Sequence, residues 1–228
     1  MTPRELLGTA IVPGGDEELR LFRRGGDFMI VLDRNELMSS RMSGSEEALA
    51  VMAIERLRGR PAPRLLVGGY GMGFTLRAAL KALGADGRVT VIELVPEIID
   101  WARGPMAEMT AGCLDDPRAA LRIGDVGDAI RSATGDYEAV LLDVDNGPDG
   151  LTRKANNGLY SRSGLAAAKA ALSPGGILAI WSAAPDRAFA KALSDAGFLV
   201  DEVTVRARSN GKGAKHVIWF ATKRDGAR

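Results

Sequence analysis

The chain has 228 residues, 46% hydrophobic and 26% charged, enough for one domain with a substantial core and a small appendage. Thirty basic against 29 acidic residues leave a net charge of +1, so no polyanion footprint is visible and nucleic acid is not an expected partner. One cysteine, Cys113, excludes an intrachain disulfide, and one histidine, His216, excludes a multi-histidine metal site, so no metal is expected.

Met1 to Ala10 lacks an apolar signal core, and no run of about 18 apolar residues occurs, so a cytoplasmic protein without membrane contact is expected. Leu19 to Arg24 and Phe28 to Asp33 read as strands joined by the hairpin signal Gly25-Gly26-Asp27, and Glu36 to Ser39 as a third. Ser45 is the expected N-cap of a helix with Glu46 and Glu47 in its first turn, closed by Gly59-Arg-Pro61-Ala-Pro63. Residues 1–60 are therefore expected to form a small β-rich region plus a connecting helix, and residues 61–228 a nucleotide-binding catalytic domain.

From residue 64 strands and helices alternate. A strand at 64–68 runs into a glycine turn (Gly68, Gly69, Gly71, Gly73) and a helix over 74–83. Glycines let the backbone approach a ligand closely, and the helix start offers unpaired N–H groups. Val89 to Leu94 is the second strand, with Pro96 opening a helix to about Arg103. Ala119 to Ile123, Tyr137 to Val144 and Gly176 to Trp181 continue the strands, separated by helices over 126–133 and 163–172; a helix over 185–196 follows. The last two strands, Phe198 to Arg208 and His216 to Lys223, are joined by a short turn and so must be antiparallel neighbours. Five strand–helix units closed by such a hairpin predict an α/β fold of the AdoMet-dependent methyltransferase type: a Rossmann-like, mostly parallel sheet with a C-terminal antiparallel hairpin. Phe74 stands where G-x-G-x-x-G needs its last glycine, which disfavours an NAD oxidoreductase.

Acidic residues fall at the predicted strand ends, where open α/β sheets bind ligands. Glu93 ends the second strand and is placed to accept hydrogen bonds from ribose hydroxyls. Asp125 is a candidate acceptor for an adenine amino group, with Val126 lending its backbone N–H; it serves equally as the N-cap of the next helix. Asp143 and Asp145 share one face of an extended segment, where two carboxylates can hold a cationic substrate and accept its proton. An Asx turn before Asn146-Gly147-Pro148 is the simpler reading of the same residues. Cys113 and His216 read as structural.

These blocks resemble the spermidine synthase (polyamine aminopropyltransferase) family. The resemblance rests on Val31-Leu-Asp33, the glycines at 68 to 73 followed by Thr75-Leu-Arg77, Glu93 in a Val-Ile-Glu context, and Gly124-Asp125. Tyr137 to Asp143, followed by Gly158-Leu-Tyr-Ser161, completes it. It implies aminopropyl transfer from decarboxylated S-adenosylmethionine to a small amine, with Glu93 on the ribose, Asp125 on the adenine and Asp143 as base, in a homodimer. Tyr160 and Glu46 are further candidates for substrate contact, and the loop Asn146 to Asn157 for a gate. The loop from Gly68 to Thr75 has no acid, whereas the family's loop carries an Asp for the donor's amino group. Two alternatives therefore stay open: a methyltransferase using intact S-adenosylmethionine on a small molecule, and a non-catalytic nucleotide-binding homologue.

Overall fold

A computed structural model describes residues 3–144 and 157–224. The chain opens with an antiparallel meander of β1 (Glu5–Ile11), β2 (Glu18–Arg24), β3 (Asp27–Leu32) and β4 (Asn35–Ser39), in that spatial order. Helix α1 (Gly44–Arg56) leads to β5 (Arg64–Gly68), α2 (Phe74–Ala82), β6 (Arg88–Glu93) and α3 (Pro96–Arg103). A short α4 (Ala107–Thr110) precedes β7 (Ala119–Ile123), α5 (Val126–Arg131) and β8 (Tyr137–Leu142). After α6 (Asn157–Tyr160) and α7 (Arg162–Ala171) come β9 (Leu172–Ser182), α8 (Arg187–Asp195), β10 (Phe198–Arg206) and β11 (Lys215–Lys223).

The second sheet has seven strands in the order β10-β11-β9-β8-β5-β6-β7. Strands β5 to β9 pair parallel, and β11 is antiparallel to both β9 and β10. This is the predicted methyltransferase-type sheet, with β11 as its reversed strand. Its strands are apolar on both faces because helices cover both, and the period of two divides their residues between two cores. Leu65, Val67, Leu141 and Phe220 face the first core with α1, α2 and α3. Leu66, Val140, Leu142 and Trp219 face the second with α5, α7 and α8. The N-terminal meander is not a separate globule: Leu21 and Ile30 join Leu49 of α1 and Leu76 of α2 in the first core.

Two local expectations are corrected. Ser45 does not cap α1; the cap position is Ser43, and Ser45 lies in the first turn with its hydroxyl turned to other partners. The reason is tertiary: Gly44 N–H donates to the Ala207 carbonyl (2.9 Å), drawing the helix start two residues earlier against the C-terminal hairpin. Strand β1 was not expected. Gly8 interrupts its alternation with a register shift, and a Cβ there would stand 2.5 Å from Trp101 Nε1, so packing on α3 demands the glycine that hides the strand. No helix among the described residues is long and apolar enough to cross a membrane.

Candidate active site

A cleft lies where β5, β6, β7 and β8 end. The meander closes it from above with Val12, Leu19, Leu32, Leu37 and Met38, so its roof is apolar. Its floor is made of the turns following the parallel strands, the location an open α/β sheet reserves for ligands. Among the described residues no cluster of three or more His, Cys, Asp or Glu forms a metal site.

The glycine turn is folded by its own neighbours. Gly69 has φ +85°, and a Cβ there would fall 2.5 Å from the Asp143 carbonyl oxygen; Gly71 has φ +54° and lies under Met38 of the meander. Only glycine supplies both the left-handed backbone and the missing side chain at these two points. Both line the cleft, whereas Gly68 and Gly73 support it from behind, Gly68 against Val126 and Gly73 against the Tyr70 ring. Four loop N–H groups are already engaged. Gly69 donates to the Ile92 carbonyl, Gly73 to the Tyr70 carbonyl, and Tyr70 and Gly71 to Glu93.

Glu93 is 5% exposed. Its Oε2 accepts from Tyr70 N (2.8 Å) and Gly71 N (3.3 Å), and its Oε1 from Val95 N (2.9 Å). Burial pushes its pKa up, and those backbone donors oppose the rise. Three of roughly four acceptor positions of the carboxylate are thus filled before any ligand arrives. Glu93 first holds the glycine turn onto β6, and about one position is left for a hydroxyl, where the sequence suggested two. Asp125 caps α5, accepting from Gly127 N at 2.6 Å, and with Val126 it also lines the cleft.

The opposite end of the cleft is built differently. Asp143 leaves β8 half-buried, and its Oδ2 accepts a hydrogen bond from Thr75 Oγ1 (2.8 Å) at the start of α2. Thr75 Oγ1 also lies 3.4 Å from the Glu46 carbonyl, tying α1, α2 and β8 together. Glu46 faces the same space from α1, and Glu17 lines it from the turn between β1 and β2. Burial and then the charge of Asp143 push Glu46 up to about 8; burial pushes Asp143 up to about 6, against the Thr75 hydrogen bond. Burial and the charge of the neighbouring carboxylate thus both favour a retained proton on the pair over two full charges. Glu17, Glu46, Glu93, Asp125 and Asp143 are five carboxylates, and no Lys, Arg or His is among the described lining residues.

Tyr160 does not line the cleft. Its ring packs edge-on against Phe189 (5.5 Å between centroids) in the second core, and its hydroxyl donates to the Val144 carbonyl at 3.4 Å. Asp145 and the loop 146–156 lie outside the described residues. Sequence reasoning missed Glu17, Trp181 and the apolar roof, because they reach the cleft only through the fold of the meander over the main sheet.

The model of the spermine/spermidine synthase domain family matches residues 42–188. The polyamine aminopropyltransferase of Mycobacterium tuberculosis is 30% identical over 173 residues, covering 74% of this chain and 31% of the relative. Polyamine aminopropyltransferase 1 of Streptomyces coelicolor is 31% identical over 159 residues, 66% of this chain and 29% of the relative. The chain thus spans about a third of the length of these curated relatives. Among solved structures, spermidine synthase from Thermotoga maritima superposes with a TM-score of 0.76 at 18% identity, over 96% of this chain and 73% of the other. A spermidine synthase in complex with the transition-state analogue AdoDATO matches equally, with a TM-score of 0.76. The strand order, the glycine turn held by Glu93 and the family match over 147 of the 228 residues agree: this chain belongs to the spermine/spermidine synthase family.

Proposed function

We propose that this protein is an aminopropyltransferase that binds decarboxylated S-adenosylmethionine and moves its aminopropyl group to a small amine. The observation that carries the choice of donor is the charge of the cleft: five carboxylates and no described cation. The decarboxylated donor brings a sulfonium and an ammonium and no carboxylate. Intact S-adenosylmethionine adds an anion that would be desolvated here without a partner. A carboxylate could instead be received by loop N–H groups, as in the methyltransferase alternative, but those of Gly69, Tyr70, Gly71 and Gly73 are spent within the protein.

In this reading Glu93 and Asp125 hold the nucleoside, Asp125 with the Val126 N–H beside it, while the glycine turn carries the sulfonium side. Asp143, ionised at neutral pH, accepts a proton from the incoming ammonium, whose unperturbed pKa is about 10.4. The freed amine attacks the carbon beside the sulfonium; that C–S bond breaks, its electrons remain on sulfur as a neutral thioether, and the product is an ammonium. Two cations become one and a proton leaves. Holding donor and acceptor in line supplies most of the acceleration. Glu17 stands in for the acid that the glycine turn lacks.

Calorimetry with decarboxylated S-adenosylmethionine, the intact form and methylthioadenosine tests this, with mass spectrometry of products from a panel of primary amines. The expected result is binding of the decarboxylated donor at least tenfold tighter than the intact one, and an amine heavier by one aminopropyl group. Tighter binding of the intact form would replace the proposal with methyl transfer.

A further inference from the structure

The proposed reaction releases one proton per turnover into a cleft roofed by apolar side chains, so the proton needs a way out. Behind Glu46 stands a hydrogen-bonded chain that nothing in the donor or acceptor binding uses. Ser45 Oγ lies 3.0 Å from Glu46 Oε2 and 2.9 Å from His216 Nδ1. Ser45 is fully buried, and His216 is half-buried on β11, paired with Val205 across the hairpin. We propose that Ser45 and His216 are the proton exit of this site, carrying the proton taken from the substrate ammonium from Glu46 to the surface. This rests on the aminopropyl-transfer reading above.

The chemistry of the chain matches its geometry. A serine in the first turn of a helix ordinarily bonds to nearby backbone; here its hydroxyl joins the adjacent Glu46 to His216, 171 positions from the serine in sequence. At rest Ser45 Oγ donates to Glu46 Oε2; a hydroxyl donates once and accepts twice, so on turning its proton to Nδ1 Ser45 takes the one Glu46 holds, and Glu46 is refilled with the proton that Asp143 took from the ammonium. His216 then carries a positive charge and returns to neutral by losing a proton to water, so one proton enters and one leaves. Burial holds the His216 pKa below its usual value, which leaves the ring neutral and able to accept. Glu46, raised to about 8, is the protonated member of its pair. The groups around Glu46 are Asp143 on β8, Thr75 on α2 and Glu47 on its own helix, with Glu17 on the cleft wall; Trp181 of β9 meets the His216 ring edge-on at 4.8 Å.

The backbone fixes this arrangement. Gly44 is pressed so closely on the hairpin that a Cβ would stand 2.4 Å from the Arg208 carbonyl carbon, and Gly44 N–H is bonded to Ala207. The start of α1 and the base of the terminal hairpin are thereby clamped, with Ser45 facing His216.

The chain contains a single histidine, so its imidazole nitrogens give one set of NMR signals and can be titrated in the whole protein. In the wild type, His216 should report two inflections, its own and one near pH 8 from Glu46; Glu46→Gln and Ser45→Ala should each remove the second. In turnover assays with decarboxylated S-adenosylmethionine and a primary diamine, His216→Gln keeps a hydrogen-bonding partner for Ser45 but cannot carry protons. It should lower kcat at least tenfold with both KM values within twofold and flatten the alkaline side of the pH profile. Ser45→Ala should do the same and Ser45→Thr restore the rate. Full kcat in His216→Gln, or a His216 titration unchanged by Glu46→Gln, overturns the proton exit. A wild type that couples His216 to Glu46 yet transfers no aminopropyl group refutes the functional reading, and the chain is then structural only.

Discussion

The two ends of the cleft use the same residue type in opposite ways. At the end proposed for the nucleoside, Glu93 and Asp125 have their oxygens aimed at backbone N–H groups within the protein and shape the turns that carry them. At the end proposed for the amine, Asp143 and Glu46 have one hydroxyl donor each and face one another. A carboxylate given fixed N–H donors is neutral in its demands and rigid. One left beside another carboxylate is a site for a cation, because only a cation relieves both the desolvation and the repulsion. In the proposed reading, positioning falls to acids at the ends of β6 and β7 and charge recognition to acids on α1 and at the end of β8.

The largest effect should come from the amine end. Asp143→Asn is expected to lower kcat by about 10²–10⁴, the range of a lost general base. Affinity for methylthioadenosine should stay within about twofold, since that ligand is proposed to sit at the other end. In the wild type, kcat/KM should rise as pH passes through about 6 and Asp143 ionises. A large loss of nucleoside affinity in Asp143→Asn would mean that the two ends are not independent.

Next is the nucleoside end. Glu93→Ala leaves Tyr70, Gly71 and Val95 N–H groups without their buried acceptor. An unsatisfied buried donor costs about 1–3 kcal/mol, so a loss of at least about 2 kcal/mol is expected. For a chain of this size that lowers Tm by about 4–8 °C, measurable by calorimetry. Methylthioadenosine affinity should fall with it, because the glycine turn loses its anchor. Unchanged Tm with weakened binding would make Glu93 a ribose ligand first and a turn anchor second, reversing the order argued here.

How much of this was legible in the sequence follows from the range of the forces involved. The apolar strands, the glycine turn, Glu93 at the end of β6 and the closing hairpin all rest on local periodicity and turn chemistry, and the observed sheet, parallel from β5 to β9 and closed by an antiparallel hairpin, is of the predicted type. Strand β1 was hidden because the requirement for Gly8 comes from Trp101, 93 positions later. Ser45 read as a cap because cap propensity is local, while the competing pull of Ala207 and His216 is not. Glu46 was a candidate by resemblance, and its pairing with Asp143 across 97 residues needed the packing of α1 over α2 and β8. Glu17 carried no signal at all: an acid in a polar turn looks like solvated surface until the meander folds over the cleft.

A smaller effect sharpens the electrostatic half of the comparison. Glu46 has a folded-state pKa of about 8 against an ordinary 4.5, so the folded protein binds more protons than the unfolded chain between those values. Stability from this group is therefore present at low pH and lost as pH rises towards 8. Glu46→Gln removes the loss: its Tm should match the wild type near pH 5 and exceed it at pH 8.5 by about 2–4 °C, roughly 1 kcal/mol. The KM for the amine should rise about tenfold, since a hydrogen bond to a charged group is worth about 1.5–3 kcal/mol. A lower Tm for Glu46→Gln at pH 8.5 would show that Glu46 is stabilised in its ionised form and has no need of a cation.

The smallest effect is expected at Tyr160, and it tests where the amine end stops. Its ring is held on Phe189 and its hydroxyl donates to the Val144 carbonyl at the back of the cleft wall. Tyr160→Phe removes one long hydrogen bond and keeps the ring, so a stability loss of about 0.5–1.5 kcal/mol bounds the structural effect. With Asp143 and Glu46 untouched, kcat and both KM values should stay within about twofold. A tenfold fall in kcat at constant Tm would bring the phenol to the reacting amine. The acids of α1 and β8 would then share the recognition of the substrate with a group from α6, and the two-acid account of that end would fail.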